Sequence, residues 1–74
     1  IKVEDIDVEI RKMYDNQFFK EYFNVKSDKI NEFIFYAETH GLDAELLKEK
    51  NEIDLIQFLL DISEEFNSYK EEQD

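Results

Sequence analysis

His40 is the one histidine in this sequence, and nothing at catalytic spacing stands beside it. Cysteine is absent and Gly41 is the single glycine, so neither thiolate chemistry nor a glycine-rich phosphate loop is available. The serines have no base nearby in sequence. His40 falls in the last turn of an expected helix, where a cation is favoured against the helix dipole. To serve as a general acid or metal ligand it would need carboxylates brought from distant parts of the chain. An enzyme is therefore not expected, and no cofactor is called for.

The carboxylates offer a little more. Asp5, Asp7 and Glu9 repeat the first three ligand spacings of a calcium-binding EF-hand loop. The position that needs glycine is Ile10, however, and the position of the bidentate acid is Asn16. A solvated acidic flank is the simpler reading. Carboxylate bundles that hold two metals want Glu-x-x-His repeats, and the sequence has none. No metal site is expected.

The run Ala37-Glu-Thr-His-Gly41-Leu42-Asp43 with Leu47 has the spacing of two helices joined by a tight turn. Ala37 allows close helix approach, Gly41 makes the turn, and Leu42 and Leu47 point inward. This stretch resembles the turn of a helix-turn-helix motif. Ile30 to Leu47 is also similar, in apolar spacing and acidity, to small phage-encoded late-transcription coactivators. That resemblance implies docking on RNA polymerase and a part in transcription regulation. The second helix is a poor reader of DNA, because Asp43, Glu45 and Glu49 outnumber Lys48 and Lys50 and no arginine is at hand for guanine. A helical hairpin packed for its own sake gives the same pattern.

The elements that must carry these residues are helices. Proline is absent, and Asn, Asp and Ser supply the caps. Val3, Ile6, Ile10 and Tyr14 fall at helical spacing with Met13 beside them. Ile6, Val8 and Ile10 also alternate as in a strand, but no second strand exists to pair with them. Phe18, Phe19, Tyr22 and Phe23 put aromatic rings on one helical flank, either in the same helix or after a bend near Asn16. Ser27 or Asp28 is suited to cap a helix that ends near His40. Asp43, flanked by Leu42 and Leu47 as in a hydrophobic staple, predicts a short helix from Ala44 to Lys50. Asn51 then caps the last and longest helix. Its apolar face is Leu55, Phe58, Leu59, Ile62, Phe66 and Tyr69, widened by Ile53, Ile56 and Leu60. Its outer face carries Asp54, Asp61, Glu64, Glu65, Glu71 and Glu72. The expected fold is all-α: residues 1–74 as one small compact bundle of three to five helices, with a helical hairpin around Gly41 and a frayed tail from Lys70 to Asp74. Phe33, Ile34, Ala37, Leu47, Leu55, Leu59, Ile62 and Phe66 are the expected core.

A chain of 74 residues with 42% hydrophobic and 15% aromatic content can build such a core. No apolar run approaches the roughly 18 residues that a membrane span needs. With cysteine absent as well, a cytoplasmic setting is expected. The chain begins at Ile1, which leaves room for a longer protein of which it is a part.

Charge bounds the partners. Twenty Asp and Glu against nine Lys and Arg give a net charge of −11. Such a field repels nucleic acid and anionic membranes and hastens encounter with basic proteins. Two readings of function lead. One is an acidic interaction module that binds a basic protein surface through the outer face of the last helix. In that role it could inhibit or modulate a nucleic-acid-handling protein, since carboxylates about 6 Å apart along a helix imitate a phosphate row. The other is a structural helical subunit that self-associates as a homo-oligomer or docks in a larger assembly. A DNA-binding regulator is the third and weakest, and a plainly solvated acidic face would also give this sequence.

Overall fold

The computed structural model describes residues 5–73, and the side chains of residues 5–69. Among them are four α-helices and no strand. α1 spans Ile6–Met13, α2 Asn16–Phe23, α3 Ile30–Thr39 and α4 Glu52–Gln73. α2 and α3 pack against α4, and α1 lies on α3. The result is the small all-α bundle that the apolar periodicity predicts. Val3, expected on the first helix, lies outside the described residues.

The break between the first two helices has a local cause. Tyr14 and Asp15 are both extended, and the Asp15 carboxylate accepts the Phe18 N–H at 2.9 Å. That is an N-cap bond to one of the donors a helix start leaves unsatisfied. The Tyr14 ring stacks on Phe18 with centroids 4.3 Å apart and sets the angle between the two helices. α1 buries Ile10 and leaves Val8 exposed, which disposes of the strand alternation. α2 ends at Asn24, whose φ of 56° is left-handed, and the Val25 N–H bonds back to the Phe19 carbonyl.

Neither Ser27 nor Asp28 caps α3. The chain instead makes one 3-10 turn over Ser27–Lys29, and the Ile30 N–H bonds to the Ser27 carbonyl. At the other end the Leu42 N–H reaches the Ala37 carbonyl at 2.9 Å, and the Gly41 N–H reaches Glu38 at 3.4 Å. This pair of bonds is a Schellman motif, with Ala37 and Leu42 both buried as its apolar contact. Gly41 takes a φ of 122°, a region unfavourable to any residue with a β-carbon.

The short helix predicted from Ala44 to Lys50 does not form. The Asp43 carboxylate does accept the Leu46 N–H at 3.0 Å, as a cap would. The bonds that follow, Leu47 to Ala44 and Lys48 to Glu45, span only three residues, and Lys48 is extended. A second 3-10 turn at Glu49–Asn51 leads into α4. Single turns rarely propagate without tertiary support, because helix nucleation is costly. Here the bent path also sets both Leu46 and Leu47 against the core. The Asn51 side chain points back, donating to the Glu45 carbonyl at 2.9 Å.

Seven of the eight expected core residues are buried, and Leu47 is half-buried. Ile10, Tyr14, Phe19, Phe23, Val25, Ile30 and Leu42 join them. On α4 the apolar face is narrower than its composition suggests: Ile53 is 85% exposed and Leu60 also faces outward. No proline or glycine interrupts α4 along its length.

Replacing Gly41 with Ala tests the hairpin. An added β-carbon would sit 3.6 Å from the Phe58 ring, an ordinary contact, so the cost is one of backbone strain. Gly41→Ala should lose about 1–3 kcal/mol of unfolding free energy in urea melts. Its far-ultraviolet circular dichroism should remain that of the parent.

Candidate functional site: the outer face of the last helix

The inner face of α4 is fixed by Leu55, Leu59, Ile62 and Phe66, all buried. Steps of three and four residues along an α-helix keep to one side. Asp54, Asp61 and Glu64 must then lie opposite, and they are exposed. Gln57 supports Asp61 by donating from Nε2 to Oδ1 at 3.1 Å. Glu65 is differently placed. Its charge acts on the Tyr36 phenol on α3. That phenol is held above the ordinary tyrosine range, first by loss of solvent and then by the Glu65 charge. The Glu71 and Glu72 side chains lie outside the described ones.

The sequence contains no lysine or arginine between Lys50 and Lys70. An ordinary solvated helix face interleaves both signs and gains a few tenths of a kcal/mol from each opposite pair. This face forgoes them. Among the described residues the ion pairs lie elsewhere: Lys12 to Glu9 at 3.4 Å, Lys48 to Glu45 at 3.0 Å and Lys50 to Glu45 at 3.9 Å. Glu45 is pushed below the usual carboxylate range, chiefly by the hydrogen bond from Lys48. Both cations of the turn before α4 are thus turned onto one carboxylate.

His40 closes α3. Its ring stacks on Tyr36 with centroids 4.2 Å apart, and Nδ1 lies 2.8 Å from the Tyr36 carbonyl. A carbonyl only accepts, so Nδ1 carries the proton in this contact. The histidine ring is thereby held against the last turn of α3. Asp7 and Glu9 sit within α1, where a helix cannot wrap around a cation as an EF-hand loop does. No group of three acidic or histidine side chains able to hold a metal occurs among the described residues. With no helix over Ala44–Lys50, the second half of a helix-turn-helix is also missing, and the resemblance to DNA readers and transcription coactivators ends at the Gly41 turn. Among the described residues no helix is long and apolar enough to cross a membrane.

One contact that periodicity could not reveal joins the start of α4 to the end of α1. The Tyr14 phenol donates to Glu52 Oε2 at 3.2 Å across 38 residues of sequence. Burial, and then the Glu52 charge and this bond, push the phenol up to about 12. A proton held more tightly when folded stabilises the fold fully below the ordinary tyrosine value of 10, and that stability drains away as pH climbs towards about 12. Tyr14→Phe should flatten this alkaline decline in urea melts and cost about 1 kcal/mol at neutral pH. An unchanged alkaline slope would show that Tyr14 titrates as it does in the unfolded chain.

The family described as BamP, C-terminal domain, matches residues 4–70. The match runs through all four helices, and the chain belongs to that family. No curated protein and no solved structure matches the chain.

Proposed function

We propose that this member of the BamP C-terminal domain family is a protein-interaction domain whose α4 face meets a basic surface on another protein. The observation that carries the reading is the run from Lys50 to Lys70 without a cation, presented on a helix whose inner face is already buried. Asp54, Asp61 and Glu64 stand ready without any unfolding. Glu65 contributes its charge beside the Tyr36 phenol, and Glu71 and Glu72 extend the same sequence periodicity. Repulsion between such neighbours weakens the helix slightly, and a partner's Lys or Arg relieves it. A protein groove that otherwise holds a nucleic-acid backbone has the matching charge, which makes inhibition or modulation of a nucleic-acid-handling protein the finer form of the proposal. A family named for a C-terminal domain is consistent with a module that works beside a larger body.

Self-association is the second reading, favoured by Phe35 and Ile53, which are 68% and 85% exposed. A net charge of −11 on each copy opposes it.

Asp61→Lys with Glu64→Lys separates the two, leaving Glu65 and its Tyr36 contact in place. The wild-type domain, immobilised, should retain a basic protein from cells of its source at low salt and release it as salt rises. The folded double variant should lose that protein. In sedimentation velocity the wild-type should run as a monomer, and it should leave the anisotropy of labelled duplex DNA unchanged at physiological salt, lacking the cations that displace counterions. Undiminished capture by the variant would reduce the acidic face to a wet surface. A dimer strengthened by the two lysines would move the function to self-association.

A further inference from the structure

A second surface lies at the start of α4, where the end of α1 faces the turn that precedes it. The two enclose an open groove of about 740 Å³. Met13, Ala44 and Leu47 give it an apolar lining, and four acids, Glu9, Glu45, Glu49 and Glu52, stand among them with one cation, Lys48. Met13 is 38% exposed, although it is a large apolar side chain, and Ala44 and Leu47 are half-buried. The acids here are not equivalent. Glu9 is engaged by Lys12, and Glu45 takes both Lys48 and Lys50. Among the described residues, Glu52 meets the neutral Tyr14 phenol, on Oε2, and no ion pair is made by Glu49. Two carboxylates thus stand three residues apart beside an apolar lining, in a groove within the usual range of small ligand sites.

An apolar lining with acids beside it suits a side chain that is itself aliphatic along its stem and cationic at its head. Arginine fits better than lysine. Its planar head carries five donors in a fixed fork, can serve two carboxylates together, and gives up its hydration more readily than an ammonium. A methionine wall adapts to the stem without a fixed shape. We propose that this groove seats an arginine side chain of the partner protein, with an apolar residue next to it filling the remaining space. The stem lies on Met13, Ala44 and Leu47, and the guanidinium reaches Glu49 and Glu52. The inference rests on the reading that the partner is basic and adds what that reading lacks. A charged face attracts many cations alike, whereas a shaped groove distinguishes one residue type.

The probe is acetyl-Leu-Arg-amide, titrated into the isotopically labelled domain at low salt and followed by nuclear magnetic resonance. The Met13 methyl and the amides of residues 44–52 should shift and saturate at millimolar peptide. The same peptide with neutral citrulline in place of arginine should bind about tenfold more weakly, the usual effect of losing a charge-assisted hydrogen bond. Glu49→Gln with Glu52→Gln should weaken the arginine peptide to the same degree while the helical spectrum is kept, since Gln still accepts from Tyr14. Equal binding of the citrulline peptide, shifts spread along Asp54 to Glu65, or no shift at the Met13 methyl would each overturn the proposal. The α4 face is read separately. Asp61→Lys with Glu64→Lys should abolish partner capture and leave the groove shifts intact. A silent groove beside charge-dependent capture removes the arginine seat alone, and a responsive groove beside undiminished capture removes the acidic face alone.

Discussion

Phe33 is the point through which this small bundle is held together. Its ring meets Phe19 at 6.1 Å, Phe23 at 6.3 Å and Phe66 at 5.4 Å, so one α3 side chain touches both α2 and α4. All four rings are buried. A chain of 74 residues has few positions that can be fully enclosed, and large flat side chains remove the most apolar surface per position. Edge-to-face contacts such as Phe33 with Phe66 add roughly 0.5–1.5 kcal/mol beyond the area they bury. The rotation of α4 about its own axis follows from this cluster. Once Phe66, Ile62, Leu59 and Leu55 are committed inward, the carboxylates have only the outside left to occupy.

The connections serve the same cluster by ending helices sharply. Asn24 and Gly41 both turn the chain at positive φ. The residue that follows each of them, Val25 and Leu42, is buried. Asp15 and Asp43 use their carboxylates on backbone donors, so two of the twenty acids serve as caps. No side-chain nitrogen or oxygen buried among the described residues lacks a hydrogen bond. Polar groups are therefore not what limits the fold; enclosure of apolar surface is.

The electrostatic layout divides into two scales. Over a Debye length of about 8 Å at physiological salt, the α4 face presents several charges of one sign to an approaching protein. That attraction raises the rate of encounter and says little about which partner stays. At contact distance the groove beside Tyr14 and Glu52 couples apolar surface to two carboxylates, and that combination is selective. The α4 face and the groove meet at the first turn of α4, where Glu52 and Asp54 stand close in sequence.

The sequence by itself determined the helical class, the turn at Gly41, and the division of α4 into a buried and an acidic side. Each of these follows from information local to one segment: a period of three to four residues, a missing β-carbon, a cap beside an apolar run. The break at Tyr14 and Asp15 was half legible, because Asp15 reads as a cap or as a helical residue until the Tyr14–Phe18 stack selects one. Only the tertiary structure decided the rest. Ala44 to Lys50 has the composition of a helix and is a bent turn, since Leu46 and Leu47 are both drawn to the core and Asn51 is tied back to Glu45. Ile53 widens the apolar face in sequence and yet is solvent-facing, because the core is closed by Leu55, Leu59, Ile62 and Phe66. Val25 belongs to no periodic stretch and is buried because the turn at Asn24 folds the chain back, its N–H bonding to the Phe19 carbonyl. The groove could not be read at all. It is made by residues such as Met13, Leu47 and Glu52, up to 39 positions apart, and their meeting depends on how α1 and the turn settle around the core, which no local pattern encodes.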